Sequence, residues 1–560
     1  MLRPLLLAAT LMLPAAAQAQ GVAGPYLAAR IAGYSNDYDA AARYYDDLLA
    51  ADQATPQVLE NAVIIYAVMG DFDRANDAAE RLRASDLPSQ FGDAARLVTF
   101  LRDGDMVQAS DMLDDPTVGG ALLNGLLRGW VAAAEGDIPG AEAALDDLAG
   151  RRGFETIARQ QQAYIRAMAG NFQGAQEILS GDAFGPLNLT TRSAFAHAQV
   201  LIELDRRDDA LQLLASANAA GNSPMLQDLA GRIAADEAIS WDFITAPVQG
   251  MAESYFTLAA ILAGETSPTF TLLNARAATA LQPDHVDALI LVGELLESQG
   301  QYDLASDVLA QVPRDDPSFF GAEITRAEIL LADGRDDASV EVLRALTRSH
   351  PDEQAVWTAY GDVLRRLERF ELSADAYDRA IAMIEEDTPR DWFLYYARGI
   401  SRERTGTWDP AEADFRRALE LNPDQPLVLN YLGYGLVEQR IKLDEALGMI
   451  ERAVEARPED GYITDSLGWV LYRLGRYDEA IAPMERAVEL RPLDPIINDH
   501  LGDVYWTVDR KLEAEFQWRR ALSLDPEEVD ETRIRKKLDV GLDAVLEEEG
   551  GKGGIEAAEE

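Results

Sequence analysis

Apolar residues along this chain recur at intervals of three and four, the spacing of one face of an α-helix. Within residues 462–474, Leu467 and Leu471 stand four apart, and "GRYDEA" interrupts the run before a second periodic stretch reaches Leu490. Pro492 follows, a residue that cannot continue a helix. The pattern predicts two helices, the first over about 462–474 and the second running to about Leu490 after the "GRYDEA" turn. Small residues punctuate them: Gly468 in the first, Ala480 and Ala487 in the second. Moving 34 residues on reaches Gly502, Ala514, Ala521 and Pro526 in the same relative places. The pair is therefore a repeat. Its small residues are expected where two helix backbones cross closely and where the next pair packs down.

Counted in the phase of Gly468, equivalent small positions fall at Ala259, Gly293, Ala327, Gly361, Gly399, Gly433, Gly468 and Gly502, in steps of 34, 34, 34, 38, 34, 35 and 34. Eight units are predicted in this half. Period and residue order resemble the tetratricopeptide repeat, whose signature is W-x2-L-G-x2-Y followed by Ala, aromatic, Ala and Pro positions. The resemblance is carried by "WTAYGDVL" with Tyr377 and Ala380, by "YYARGISR" with "WDPAEADFRRALELNP" behind it, and by "NDHLGDVY" with Ala514, Trp518, Ala521 and Pro526. It implies an all-α fold, a right-handed superhelical solenoid of antiparallel helix pairs whose stacked units bury a continuous core.

The first half carries a weaker version in the same phase. Small positions lie near Ala29, Val63, Leu97, Gly129, Ala163 and Ala198, with turns such as "GDFDRA", "EGDIPGA" and "GNFQGA" behind them. Six units are predicted there. The period breaks at "ADEAISWDFITAPVQGMAESYF", where Pro247 and Gly250 disfavour helix. The expected organisation is a first array over 20–235, an irregular linker over 236–250 and a second array over 251–528. Ile534, Leu538, Leu542 and Val545 share one face of a capping helix expected over 529–547. The Gly-rich acidic end, 548–560, is expected to be disordered.

Hydrophobic residues make up 48% of the 560, enough for a large core. The 97 acidic residues against 50 basic give a net charge of −47, which repels nucleic acid phosphate and anionic membrane surfaces. No nucleic-acid partner is expected. "MLRPLLLAATLMLPAAAQAQ" combines Arg3, an apolar run from Leu5 to Leu13 and Ala17-Gln18-Ala19, the pattern of a signal peptide over 1–19 cleaved after Ala19. Export to the periplasm is the expectation, with no membrane insertion afterwards, because no later segment is apolar for the roughly 20 residues a span needs. Cysteine is absent, which removes disulfides, thiolate ligands and a lipid-bearing cysteine. The mature chain is not expected to be a lipoprotein.

Candidate chemistry is sparse. The four histidines, His197, His285, His350 and His500, are spread singly and read as caps or surface residues. No GxGxxG, Walker or GxSxG motif is present. Neither enzyme activity nor a cofactor or metal is expected. A hydrolase using paired carboxylates would need a non-repeat domain, and the interruption near residue 240 is too short for one. Arg533, Arg535, Lys536 and Lys537 form a basic cluster, read as the solvated face of the capping helix.

The repeat resemblance implies a groove lined by the first helix of each pair, at residues six and three before the small position and one and four after it. That places Phe393, Tyr396 and Ile400 there, then Leu427, Asn430 and Tyr434, then Tyr462, Asp465, Trp469 and Tyr472, and last Ile496, Asp499, Asp503 and Trp506. Phe393, Tyr396, Tyr434, Tyr462, Trp469, Tyr472 and Trp506 are the aromatic candidates for holding a partner. Each could equally pack as core, Trp469 above all. Family members that clamp a carboxyl terminus use Lys and Asn at such places, whereas Asp465 and Asp499 stand here. Protein partners are expected, and the function is that of an interaction scaffold. "DGYITDSLGWVLYRLGRYDEA" resembles exported tetratricopeptide adaptors of Gram-negative envelopes, one of which is a lipoprotein that presents cell-wall hydrolases to a carboxyl-terminal-processing protease. An assembly role in an outer-membrane secretion or polysaccharide-export complex is the alternative.

Overall fold

The computed structural model describes residues 23–550 apart from 52–53, 86, 116 and 220–222. The expected signal segment and residues 551–560 of the expected tail lie outside the described residues. Every regular element within them is an α-helix, and the chain forms two compact units divided between Val342 and Leu343.

The first unit opens with six helix pairs: α1 and α2 (Ala23–Tyr34, Tyr38–Ala50), α3 and α4 (Pro56–Met69, Phe72–Arg83), α5 and α6 (Gln90–Asp103, Met106–Leu113), α7 and α8 (Gly120–Ala134, Ile138–Ala149), α9 and α10 (Glu155–Met168, Phe172–Leu179), and α11 and α12 (Thr191–Glu203, Arg207–Asn218). A lone α13 (Pro224–Ala234) follows, then α14 and α15 (Pro247–Leu262, Pro268–Leu281), α16 and α17 (Val286–Ser298, Tyr302–Leu309), and α18 and α19 (Phe319–Ala332, Asp336–Ser349), the last of which crosses the division. The second unit continues with α20 and α21 (Gln354–Arg366, Phe370–Ile381), α22 and α23 (Trp392–Arg404, Trp408–Leu421), α24 and α25 (Pro426–Glu438, Leu443–Ala456), α26 and α27 (Gly461–Arg473, Tyr477–Leu490), and α28 and α29 (Pro495–Thr507, Lys511–Leu522). It ends with α30 (Glu528–Val540) and α31 (Leu542–Glu548).

Local chemistry sets the turns. In four pairs of the first unit, α3/α4, α5/α6, α7/α8 and α9/α10, a Gly in the left-handed conformation follows helix one and an Asp or Asn then caps helix two. Gly70 has φ +85°, and the Asp71 side chain accepts the Arg74 backbone N–H at 3.0 Å. Asp105, Asp137 and Asn171 cap α6, α8 and α10 in the same way. Such caps are each worth about 1 kcal/mol.

The small residues make room for a side chain rather than for a second backbone. A Cβ on Gly468 would lie 2.5 Å from Met484, one on Gly502 2.5 Å from Trp518, and one on Gly129 2.9 Å from Leu145. In each case the partner stands sixteen residues later, on the second helix. At Gly433, after which the period lengthens to 35, the partner is Ile450, seventeen residues on.

Two elements differ from the pattern read in the sequence. Only 235–246 is non-helical, because Pro247 occupies the first turn of α14, where its missing N–H costs nothing. Gly250 lies within that helix and is buried. The capping segment is two helices rather than one, broken at Gly541, whose φ of +86° ends α30.

Candidate protein-binding groove

In the first unit the surface offered by the leading helices is covered by the chain itself. After the 235–246 stretch the chain returns, and α14 packs on α7 with further contacts to α5 and α9, while α15 packs on α3 and α5. The seating is close. A Cβ on Gly250 would come within 2.2 Å of the Trp130 ring, and Trp130, fully buried, donates its Nε1–H to Gln161 at 2.8 Å. Arg276 of α15 donates to the backbone oxygen of Val68, in α3, at 2.9 Å.

The returning pair is also held by charge. Arg192 donates to both oxygens of the buried Glu253, the shortest contact being 2.7 Å, and His285 Nε2 lies 3.2 Å from the same carboxylate. Burial opposes the charge on Glu253, yet Arg192 and His285 hold its carboxyl down at about 2. His285 also caps α16 through Nδ1, which accepts the Ala288 N–H.

In the second unit the leading helices α22, α24, α26 and α28 enclose a hollow of about 360 Å³. Tyr431 and Tyr434 of α24 and Tyr462 of α26 furnish its rings. Asn430, Asp465, Ser466, Glu403 and Arg404 furnish its polar groups. Asn430 belongs to the wall, and its side-chain oxygen is buried with no hydrogen-bond partner. Tyr462 is 53% exposed.

Of the seven aromatic candidates, Tyr434 and Tyr462 line this hollow. Phe393 is half-buried against Trp392 and Tyr396. Tyr396, Trp469 and Tyr472 are core, a correction to their placement in the groove. Trp469 is covered because His500 stacks on it, ring centroids 4.0 Å apart, with Tyr472 stacked at 4.9 Å. Its Nε1–H donates to Glu438 at 2.9 Å. Trp506 is taken by the cap, donating to Asp543 at 3.1 Å beside Gly541.

His500 is likewise no surface residue. It is buried, with Nδ1 3.0 Å from Asp465. Burial disfavours its charge, but Asp465, Asp499 and Asp503 prevail and raise its pKa. His197 shows the opposite balance: buried beside Gln176 at 2.7 Å, it is pulled down to about 4 by burial and by Arg206.

Asp499 and Asp503 do not face the groove either. Lys537, wholly buried, donates to Asp499 at 2.7 Å and to both oxygens of Asp503 at 2.7 and 2.8 Å. The basic cluster of the capping segment is thus not simply a solvated face, and Lys537 seals the end of the core. Burial and the charge of Asp503 push Asp499 up to about 6.

Of the lining residues missed in the sequence, Glu403, Arg404 and Gly435 lie after the small residue of their helices, while Tyr431, Ser466 and His500 share one register: each stands two before it. A ruler of minus six, minus three, plus one and plus four skips that position.

The tetratricopeptide repeat family model matches residues 273–318, 324–391 and 436–495. These stretches are tetratricopeptide repeats. They fall within the stacked helices α15 to α21 and α24 to α28 described above. A tetratricopeptide repeat-containing protein of Pseudomonas aeruginosa is 32% identical over 190 residues, which is 33% of this chain and 31% of that protein. The chain therefore matches about a third of that relative's length. Among solved structures, a chain of the APC/C hetero-tetramer Cut9–Hcn1 is similar with 16% identity and a TM-score of 0.38, over 92% of this chain and 96% of that one. YrrB, described as a tetratricopeptide protein with an unusual peptide-binding site, has 19% identity and a TM-score of 0.28, over 35% of this chain and 99% of its own. At those scores neither says what this chain binds. Among the described residues no group of three or more His, Asp or Glu side chains is placed to hold a metal, and no helix is long and apolar enough to cross a membrane.

Proposed function

We propose that this protein is an exported, periplasmic interaction scaffold that holds an extended segment of a partner protein in the hollow of its second unit. The observation that carries this reading is the hollow itself: about 360 Å³, lined by Tyr431, Tyr434, Tyr462 and Asn430, whose side-chain oxygen is unpaired. Rings of this kind give contact area at small entropic cost. An unpaired carboxamide oxygen can take a backbone N–H, which every segment of chain offers except at proline. Arg404 and Asp465 supply opposite charges along the same hollow. The signal pattern over residues 1–19 supports export, and the absence of cysteine favours a soluble adaptor. Within this reading, the partners are a carboxyl-terminal-processing protease and the cell-wall hydrolases presented to it.

The test is affinity capture from envelope extract with the full chain and with a Tyr434→Ala, Tyr462→Ala double variant, followed by mass spectrometry. Recovery of a processing protease with cell-wall hydrolases, lost in the double variant, is expected. Recovery of a secretion or polysaccharide-export complex would move the role to assembly. Capture unaffected by the double variant would remove the hollow from the account.

A further inference from the structure

A second enclosure lies in the first unit, between the leading helices and the returned pair. It measures about 300 Å³ and is walled by Ala94, Leu97 and Val98 of α5, Leu123 of α7, Tyr255 and Leu258 of α14, and Leu273 of α15. Protein interiors are close-packed, and voids larger than a water molecule are few. An apolar space of this size leaves its lining without contact atoms on one side, a standing cost in dispersion energy. It holds room for about ten water-sized groups.

Three features define what would fit. None of the lining residues is charged, although charged residues make up 26% of the chain, so a charged occupant would be desolvated without compensation. Asn274, 6% exposed, belongs to the lining. Its amide N–H donates to the Phe270 backbone oxygen at 2.8 Å, and its side-chain carboxamide oxygen is an acceptor with two lone pairs. Tyr255, whose buried hydroxyl has no partner, forms part of the same wall. Lastly, Gln90 and Phe270 of the lining are exposed, which gives the space an edge on solvent.

We infer that this cavity binds a neutral aliphatic molecule carrying a single hydroxyl, of about the bulk of a ten-carbon alcohol. The chain replaces the missing dispersion contacts, and the hydroxyl donates to Asn274. The site shares no residue with the hollow of the second unit, so it stands or falls separately from the proposed scaffold role.

The probe is 1-decanol, titrated into the full chain by calorimetry, with amide hydrogen exchange to locate it. Saturable binding is expected, with exchange slowed in 91–98 and 255–277 and unchanged in 426–507. Decanoate should bind at least about tenfold more weakly, since its carboxylate would be buried unpaired. Asn274→Leu should weaken decanol by about tenfold and leave decane unaffected. Ala94→Phe and Ala277→Leu, which fill the space from opposite walls, should abolish the slowed exchange in whichever variant melts like the parent. Absence of saturable binding, slowed exchange elsewhere, or equal affinity for decanoate and decanol would each overturn the assignment. The exchange map needs no variant and decides the matter even if both filled proteins fail to fold.

Discussion

The leading helices of the two units meet opposite fates. In the first unit α3, α5, α7 and α9 are packed by α14 and α15. In the second, α22, α24, α26 and α28 border an open hollow, to whose lining α24 and α26 bring Tyr431, Tyr434, Tyr462 and Asn430. The difference is written at four register positions. In α7 they are Leu123, Leu126, Leu127 and Trp130, all buried; in α24 they are Leu427, Asn430, Tyr431 and Tyr434. An apolar quartet demands a cover, and the chain provides one. A quartet of rings and amide tolerates water and can wait for a partner. The same helical pair therefore builds either an internal core or an external site, depending on the residues at these places.

The comparison can be broken most severely at the end of the second unit. Lys537→Met removes the ammonium buried between Asp499 and Asp503, leaving them only Arg533 as an ion-pair partner among the described residues, at 3.8 and 3.6 Å, and should cost about 3–5 kcal/mol, seen in denaturant unfolding and in faster exchange over α28 and α30. Converting both aspartates to asparagine in the same variant should restore much of that loss.

Acidification separates the units by sign. His197 in the first unit stays neutral in the folded protein down to about pH 4. Its contribution is therefore full above the unfolded value of 6.5 and is lost as pH falls from 6.5 toward 4, a loss of up to about 3 kcal/mol. His500 in the second unit has a raised pKa, so its contribution is present below 6.5 and is lost as pH rises through the folded value. Asp499, pushed up to about 6, also gains stability for the fold as pH falls below that value. Glu253, held at about 2, stays charged and adds nothing to the window. Protection factors, which remove the intrinsic pH dependence of exchange, should fall around α11 and rise around α28 between pH 7.5 and pH 5; the same direction in both units would remove this account.

Gly250→Ala places a methyl against Trp130 and should destabilise the seating of α14 by about 1–3 kcal/mol. Exchange should quicken in α7 and α14 while α24 and α26 keep parental rates. Tyr462→Ala is the smallest perturbation. As an exposed substitution it should alter stability by less than about 0.5 kcal/mol while weakening partner capture. A large loss of stability would show that Tyr462 supports the fold rather than the site.

The period of 34, the helix pairs and the turns were legible because they are local: a glycine in left-handed conformation followed by a capping Asp, and small residues sixteen before a bulky one. The groove was legible in register but not in occupancy. Trp469 and Trp130 both follow the small glycine of their helix, and nothing nearby in sequence tells that His500 covers the first and Gly250 the second. The partner of Trp469 stands 31 residues on and that of Trp130 stands 120 on, so both coverings are tertiary facts. Lys537 gave a similar lesson. A lysine in a basic run reads as solvated, and only the acidic pair on α28, 34 and 38 residues earlier, shows why it is buried.

The Lys537 seal also bears on how such an array can change length. Duplicating a pair upstream, between α25 and α26 for instance, would leave Lys537 beside Asp499 and Asp503. A pair added between α29 and α30 would carry the lysine away from them and leave three charges buried apart. Growth by duplication is therefore open on one side of α28 and closed on the other, and the last repeat is fixed in its place as a keystone is, by what it must meet.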